Sequence, residues 1–329
     1  MAQKHVSVLV PVGDASLGCI NGPFILFGKT NEFLARLGKD SMFTVQFVGL
    51  SNVPQVYDRV FSVNPDITIH DLHHTDLIII PAVNGNMKKV IEANKDFLPW
   101  IAAMHSKGTE VASLCVGTFL LAATGLLNGK KCATHWNAEN EFRTMFPDVC
   151  LVSDKIITDE DGIYTSGGAN SFWNLLLYLL EKYTNREMAV MFSKHFEIEL
   201  DRHSQSAFTM FTGQRTHKDD VIKRAQEFIE HNYQDKITIE QLTSMLSLSR
   251  RNFERRFKKA TSNTVTEYIQ RVKMEAAKKD LEAGKKNINE VMYQVGYTDH
   301  KAFRTTFKKI TGLLPLAYRN KYYHQYQAE

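Results

Sequence analysis

The chain carries only four cysteines, Cys19, Cys115, Cys132 and Cys150, among its 329 residues. They lack zinc-like spacing and are too few for a disulfide framework, so a zinc-folded or disulfide-stapled domain is excluded and a reducing cytoplasm is the expected compartment. No apolar run approaches the roughly 18 residues a membrane span needs. The longest, SFWNLLLYLL at 171–180, has the length of a buried helix. The start, MAQKHVSVLVPVGD, has an apolar run too short for a signal peptide and reads as a first strand. Neither sign of charge dominates: 40 Lys+Arg stand against 36 Asp+Glu, a net +4. With no apolar run of spanning length, a membrane partner is not expected. What remains is an ordinary globular composition, 43% hydrophobic and 23% charged. At roughly 150 residues per domain, the length implies two domains.

The near-neutral total hides an asymmetry. Residues 218–329 hold 22 Lys+Arg against 14 Asp+Glu, whereas 1–217 hold 18 against 22. A basic C-terminal third on an acidic body points to a polyanion partner for that third alone.

That third contains a doubled segment. Residues 239–262 read IEQLTSMLSLSRRNFERRFKKATS and residues 288–312 read INEVMYQVGYTDHKAFRTTFKKITG. Each predicts a short amphipathic helix, a tight turn and a second helix carrying F-K-K. Ile239 and Ile288 are 49 positions apart, but Phe253 and Phe303 are 50 apart, so the second turn holds one extra residue. Repeated basic helix-turn-helix units are how one polypeptide reads two successive stretches of DNA groove.

At 100° per residue, Phe253, Phe257 and Ala260 fall on one face of a helix over 249–260. Arg251 and Arg255 lie nearly opposite, with Asn252, Lys258 and Lys259 beside them. Ser249 is the expected N-cap. The same wheel over 299–310 turns Phe303, Phe307 and Ile310 inward, with Asp299 as N-cap. It turns Lys301 and Thr305 outward, with His300 and Arg304 alongside. Outward residues of the first two turns meet base edges, and Arg can bond guanine bidentately. Lysines further along more often meet phosphates. The candidate DNA contacts are thus Arg250, Arg251, Asn252, Arg255, Lys258 and Lys259 in one unit, and His300, Lys301, Arg304, Thr305 and Lys308 in the other. Between the units, 264–284 keeps a helical apolar stripe. About 20 residues of helix span roughly 30 Å, close to the one-turn separation of successive major-groove faces.

These residues resemble the DNA-binding domain of the AraC/XylS family of transcription regulators over about residues 220–320. The first unit carries S-x-x-x-F-x-R-x-F-K. The second carries Gly296-Tyr297, Phe303, Phe307, Lys308, Gly312, Pro315, Tyr318 and Arg319, the family's most recognisable stretch. The family often has Arg where this chain has Thr305. The resemblance implies an operator in double-stranded DNA and RNA polymerase as a possible further partner.

The first two-thirds reads differently. HVSVLV (5–10), 43–49, DLIIIPAV (76–83) and EVASL (110–114) predict strands, and another is expected near 149–157. Helices are expected over 22–38, 87–106, 116–127 and 137–146. This alternation predicts an α/β domain, a mostly parallel sheet with helices on both faces. Residues 185–217 look helical and then polar. The expected organisation is an α/β domain at 1–201, a linker at 202–219 and an all-α domain with two helix-turn-helix units at 220–329.

Cys115 ends a predicted strand and opens a helix, and a sharp turn of that kind exposes a side chain above the sheet. A helix N-terminus there is expected to lower the thiol pKa and to offer N–H donors to an anion. His135 lies 20 residues on, in T-H-W, and a Cys/His pair could act as nucleophile and base. The segment resembles the PfpI and class I glutamine-amidotransferase-like superfamily, and most closely the sensory domain of GlxA-type AraC regulators. INGPFILF (20–27) and SGGANSFWNLLLYLLE (166–181) carry further likeness, which covers about residues 5–190. Catalytic members place a carboxylate near the first helix, where this chain has Cys19, Ile20 and Asn21; the nearest acid is Asp14. Protease-like members have His directly after the Cys, and here it is Val116. The resemblance therefore implies a small-molecule sensor, probing a nitrogenous metabolite, with Asn21, Gly22, Cys115, Val116, His135 and Trp136 as effector-pocket candidates. A Cys-dependent amidase- or hydratase-like enzyme and a thiol redox sensor are the alternatives. A homodimer through the α/β domain is expected from the same resemblance. No cofactor is expected. HDLHH (70–74) is read as polar surface rather than a metal site, because adjacent histidines point in different directions.

Overall fold

The structure, a computed structural model, describes residues 3–215 and 217–323. Its contacts divide the chain into two compact units, 1–205 and 206–329. The strands are β1 (Lys4–Leu9), β2 (Phe43–Gly49), β3 (Gln55–Tyr57), β4 (Phe61–Val63), β5 (Ile67–Thr68), β6 (Leu77–Ile80), β7 (Glu110–Ser113), β8 (Lys131–Cys132), β9 (Cys150–Leu151), β10 (Ile157–Glu160) and β11 (Ile163–Ser166). The helices of the first unit are α1 (Leu17–Arg36), α2 (Met87–Ala93), α3 (Phe97–Ser106), α4 (Thr118–Ala123), α5 (Glu139–Met145), α6 (Phe172–Tyr183) and α7 (Arg186–His195).

The first unit is built on a seven-stranded sheet in the order β10-β11-β7-β6-β1-β2-β5, parallel except for the β10–β11 hairpin. The mostly parallel α/β sheet expected from the alternation is present. β6 reads LIII and is buried along its whole length, as a strand covered on both faces must be. From β1 the chain moves to β2, but from β6 it moves the opposite way to β7. Right-handed crossovers then put α1 and α3 on opposite faces. The reversal also makes the carboxyl ends of β1 and β6 the switch point at which open α/β sheets bind ligands.

Several boundaries differ from the sequence reading. The expected helix at 87–106 is two helices, broken at 94–96, because buried Asn94 turns its side chain back to the Val12 backbone. α1 starts at Leu17 rather than near 22, so residues 20–27 are helix. The single strand expected near 149–157 is instead β9 followed by the β10–β11 hairpin, whose turn sets Asp161 and Gly162 at positive φ.

The second unit is helical: α8 (Asp220–His231), α9 (Ile239–Leu246), α10 (Arg250–Thr261), α11 (Val265–Ala283), α12 (Ile288–Gln294), α13 (His300–Thr311) and α14 (Pro315–Tyr322). It has two small cores, and they match residue by residue. Ile222, Ala225 and Ile229 of α8 have counterparts in Met274, Ala277 and Leu281 of α11. Leu242 and Leu246 match Val291 and Val295, and Phe253 and Phe257 match Phe303 and Phe307. Polar details repeat too. Thr261 Oγ1 donates to Phe257 O and Thr311 Oγ1 to Phe307 O, each at 2.8 Å. Tyr268 Oη donates to Glu230 and Tyr318 Oη to Glu282, each at 2.6 Å. The duplication is therefore larger than the segments visible as text: three helices and a closing tyrosine, with α11 serving as the last helix of one copy and the first of the next.

Residues 202–219 do not form a free tether along their described length. Gln205 is fully buried in the first unit. Further on, Thr209 O accepts from buried Lys278 Nζ at 2.5 Å, and the Phe211 N–H donates to Glu275 at 3.0 Å.

Candidate nucleic-acid interface and effector site

Both candidate reading helices are capped as the sequence suggests. Ser249 accepts from the Asn252 N–H and Asp299 from the Ala302 N–H. After α9 the chain turns through left-handed Ser247, whereas after α12 the turn runs over 295–299 and includes left-handed Gly296. The extra residue thus lengthens the second turn, as the spacing predicts. Phe253, Phe257, Phe303 and Phe307 are buried; Ala260 and Ile310 are only partly so.

The cationic faces divide by environment. Arg251, Arg255, Lys258 and Lys259 are exposed on α10, and Asn252 Oδ1 accepts from Arg255 at 3.0 Å. Arg250 is exposed as well, but Glu240 and Glu254 hold it at 3.0 and 3.1 Å. A competing phosphate must displace both carboxylates, so Arg250 is the least available member of the set. On α13, His300, Lys301, Arg304, Thr305 and Lys308 line one open depression together with Lys309 and Leu314. In sequence Arg256 looks like one more cation of the run. It faces inward, donating to both oxygens of Asp219 at 2.9 and 2.6 Å, and Asp219 also caps α8. The pair holds the Asp219 carboxyl below the usual carboxylate range, chiefly through the Arg256 hydrogen bonds.

In the first unit, Cys115 does form a strained elbow, with φ +54°. Its N–H donates to Ser166 Oγ at 3.1 Å, and its carbonyl accepts from Thr118 Oγ1 at 2.9 Å and Thr134 Oγ1 at 3.2 Å. The expected activation of the thiol does not occur. Burial, with a smaller contribution from neighbouring Cys19, pushes the Cys115 thiol up to about 12. The helix that follows has only six residues, too short to develop a useful macrodipole, and the Cys115 and Gly117 N–H groups already have partners in Ser166 and Leu114. Burial raises the pKa of neighbouring Cys19 as well.

The other pocket candidates fare differently. His135 is half-buried, which lowers its pKa, and its Nδ1 accepts from the Asn137 N–H at 3.1 Å; its ring lies 5.2 Å from that of Trp136. Val116 follows Cys115 in a single 3-10 turn. Asn21 is exposed on α1, two residues and so about 200° from buried Cys19, which turns it off the elbow face. Gly22 is a packing position: a Cβ there would meet Phe172 of α6 at 2.7 Å. Asn21 and Gly22 are therefore removed from the pocket set. Sequence reasoning missed Gln205. It ties together the segments flanking His135 and Trp136, and no signal marked it out from a polar stretch. Its Nε2 donates to Thr134 O at 2.9 Å and Ser153 O at 2.8 Å, while Oε1 accepts from the Trp136 N–H at 3.3 Å. His70, His73 and His74 are exposed, and no cluster able to hold a metal occurs among the described residues.

The helix-turn-helix domain profile matches residues 242–321 and the DJ-1/PfpI family profile matches residues 31–182. The HTH-type transcriptional regulator GbdR of Pseudomonas aeruginosa is 23% identical over 257 residues, covering 77% of this chain and 68% of that protein. This chain joins an AraC-type helix-turn-helix domain to a DJ-1/PfpI domain. The chain is also similar to the isonitrile hydratase of Pseudomonas putida, 26% identical over 153 residues, or 46% of this chain and 65% of that enzyme. A ThiJ/PfpI family protein from Pseudomonas syringae shares the fold at a TM-score of 0.51 and 15% identity, covering 83% of this chain and 90% of that one. GbdR, whose match is too long for one domain, is a regulator, and this chain is a DNA-binding regulator rather than an enzyme. No helix among the described residues is long and apolar enough to cross a membrane.

Proposed function

We propose that the regulator binds an operator in double-stranded DNA through both helix-turn-helix units. Arg251, Arg255, Lys301, Arg304 and Thr305 face base edges, with Asn252 and His300 at the margins, and Lys258, Lys259 and Lys308 neutralise phosphates. The observation that carries this reading is the pair of capped, similarly anchored helices, each burying two phenylalanines and exposing a cationic face. Arg255→Ala should cost roughly 1–3 kcal/mol on a specific duplex and relax base choice at one position. Unchanged affinity and unchanged base preference in a mobility-shift titration would show that α10 is not a reading helix.

We infer that the first unit senses a small molecule beside the Cys115 elbow, with Val116, His135 and Trp136 as candidate contacts. Support comes from the strained elbow beside the sheet's switch point. A nitrogenous metabolite as effector rests on family resemblance alone. So do a homodimer formed through this unit, a contact with RNA polymerase and a cytoplasmic location. A thermal-shift screen of amino acids, polyamines and betaines tests the effector class, because a ligand of the folded state raises its stability. Cys115→Ser should alter the response to any compound so found while leaving DNA affinity of the free protein intact. The protonated, buried thiol weighs against nucleophilic and redox roles for Cys115.

A further inference from the structure

Lys273 sits in the middle of α11 with 7% of its surface exposed. Its Nζ donates to Val295 O at 2.9 Å, in the turn that launches α13, and to Asp235 O at 3.2 Å, in the loop between α8 and α9. The Tyr297 ring centre lies 5.8 Å away. The two loops also touch directly. A Cβ on Gly296, whose φ is +72°, would stand 2.2 Å from Gln234 O and 2.6 Å from Lys273 Nζ. Tyr233 packs against both cores. The junction therefore joins one helix-turn-helix copy to the other through an ammonium bonded to two carbonyls, at a contact too close for a methyl group.

Stability alone does not explain an ammonium here. Burying a charge without a bonded carboxylate is costly, and an apolar chain of similar length avoids that cost. What the ammonium does supply is direction: its bonds to Val295 O and Asp235 O fix the second turn relative to the loop that precedes α9.

We propose that Lys273 is the positioning residue that sets the angle between the two reading helices, and hence the helical phasing of the DNA sites that the regulator accepts. This rests on the two-unit DNA reading proposed above. One inserted base pair rotates the second half-site by roughly 35°, since a helical turn holds 10–10.5 pairs. A rigid junction must reject such a site and a loosened one must tolerate it.

The test uses the full chain and duplexes recovered from a random pool by the wild-type protein. Three duplexes are compared: the recovered site, the same site with the α13 half scrambled, and the site with one base pair inserted between halves. Lys273→Met should bind the recovered site about tenfold more weakly, equivalent to roughly 1.4 kcal/mol. It should equal wild type on the half-scrambled duplex and lose most of the wild-type penalty for insertion. Lys273→Arg, which keeps the donors, should restore the wild-type pattern. Equal losses on the recovered and half-scrambled duplexes, or an undiminished insertion penalty, would overturn the proposal. Lys273→Gln is read in the same way if Lys273→Met does not fold. If circular dichroism shows both variants unfolded, Lys273 is a stability residue and the proposal fails. A wild-type protein that enriches no duplex refutes the DNA reading itself, before any variant is compared.

Discussion

Gln205→Ala should destabilise the first unit strongly, although the residue lies in a stretch that reads as linker. The side chain is fully buried. Its Nε2 donates to Thr134 O at 2.9 Å, Ser153 O at 2.8 Å and Lys155 O at 3.2 Å, and its Oε1 accepts from the Trp136 N–H at 3.3 Å. Truncation strips a partner from all four groups. Counting only the two short bonds, at about 1–3 kcal/mol for each buried group left unsatisfied, the loss is roughly 2–6 kcal/mol. Water entering the vacated space offsets part of this, so we expect about 3 kcal/mol. The assay is selective because Trp100, Trp136 and Trp173 all lie in the first unit. Tryptophan fluorescence in a urea titration therefore follows that unit alone. At a slope of about 2 kcal/mol per molar, the midpoint should fall by roughly 1.5 M. Gln205→Glu should be no better, since it places a carboxylate against three carbonyls. A midpoint within about 0.3 M of wild type would refute this reading of Gln205 as a structural tie.

Two further outcomes follow from burial and charge. Lys308→Ala should weaken binding to all sequences alike and reduce the slope of log affinity against log salt by about 1, as measured by anisotropy across a salt series. Exposed Cys150 should be alkylated by iodoacetamide in the native state at pH 8, while Cys19, Cys115 and Cys132 are protected by burial and, for Cys115, by a thiol pKa pushed up to about 12; peptide mass spectrometry that finds Cys115 modified as fast as Cys150 removes the case for an inert thiol.

Much of the second unit was legible in the text because its signals are local. Phenylalanines at helical spacing, Ser249 and Asp299 as caps, and Gly296 in the longer turn each act within a few residues. The sheet was legible for a related reason, since runs such as LIII of β6 are buried on both faces and show no other periodicity. What escaped depends on partners far away in sequence. Arg256 differs from Arg255 only by the presence of Asp219, 37 positions earlier. Lys273 and Lys278 carry no local signal of burial, yet both are buried against backbone carbonyls. Gln205 looks like any polar residue until the carbonyls of Thr134 and Ser153 are brought to it. The Cys115 elbow was legible as a turn. Its electrostatics were not, because burial and the neighbouring Cys19 oppose whatever a short helix contributes. The full extent of the duplication was hidden by unequal spacing, as α8 and the second half of α11 share core positions but little sequence.

Hydroxyl-radical footprinting of the full chain on a duplex recovered by selection tests the two-unit reading most directly. Two protected patches on one face of the helix, about 10 base pairs apart, are the expected result, with the patch under α10 lost in Arg255→Ala and the other retained. A single protected patch, or two patches that disappear together in that variant, would contradict reading by two separate helices on a shared α11.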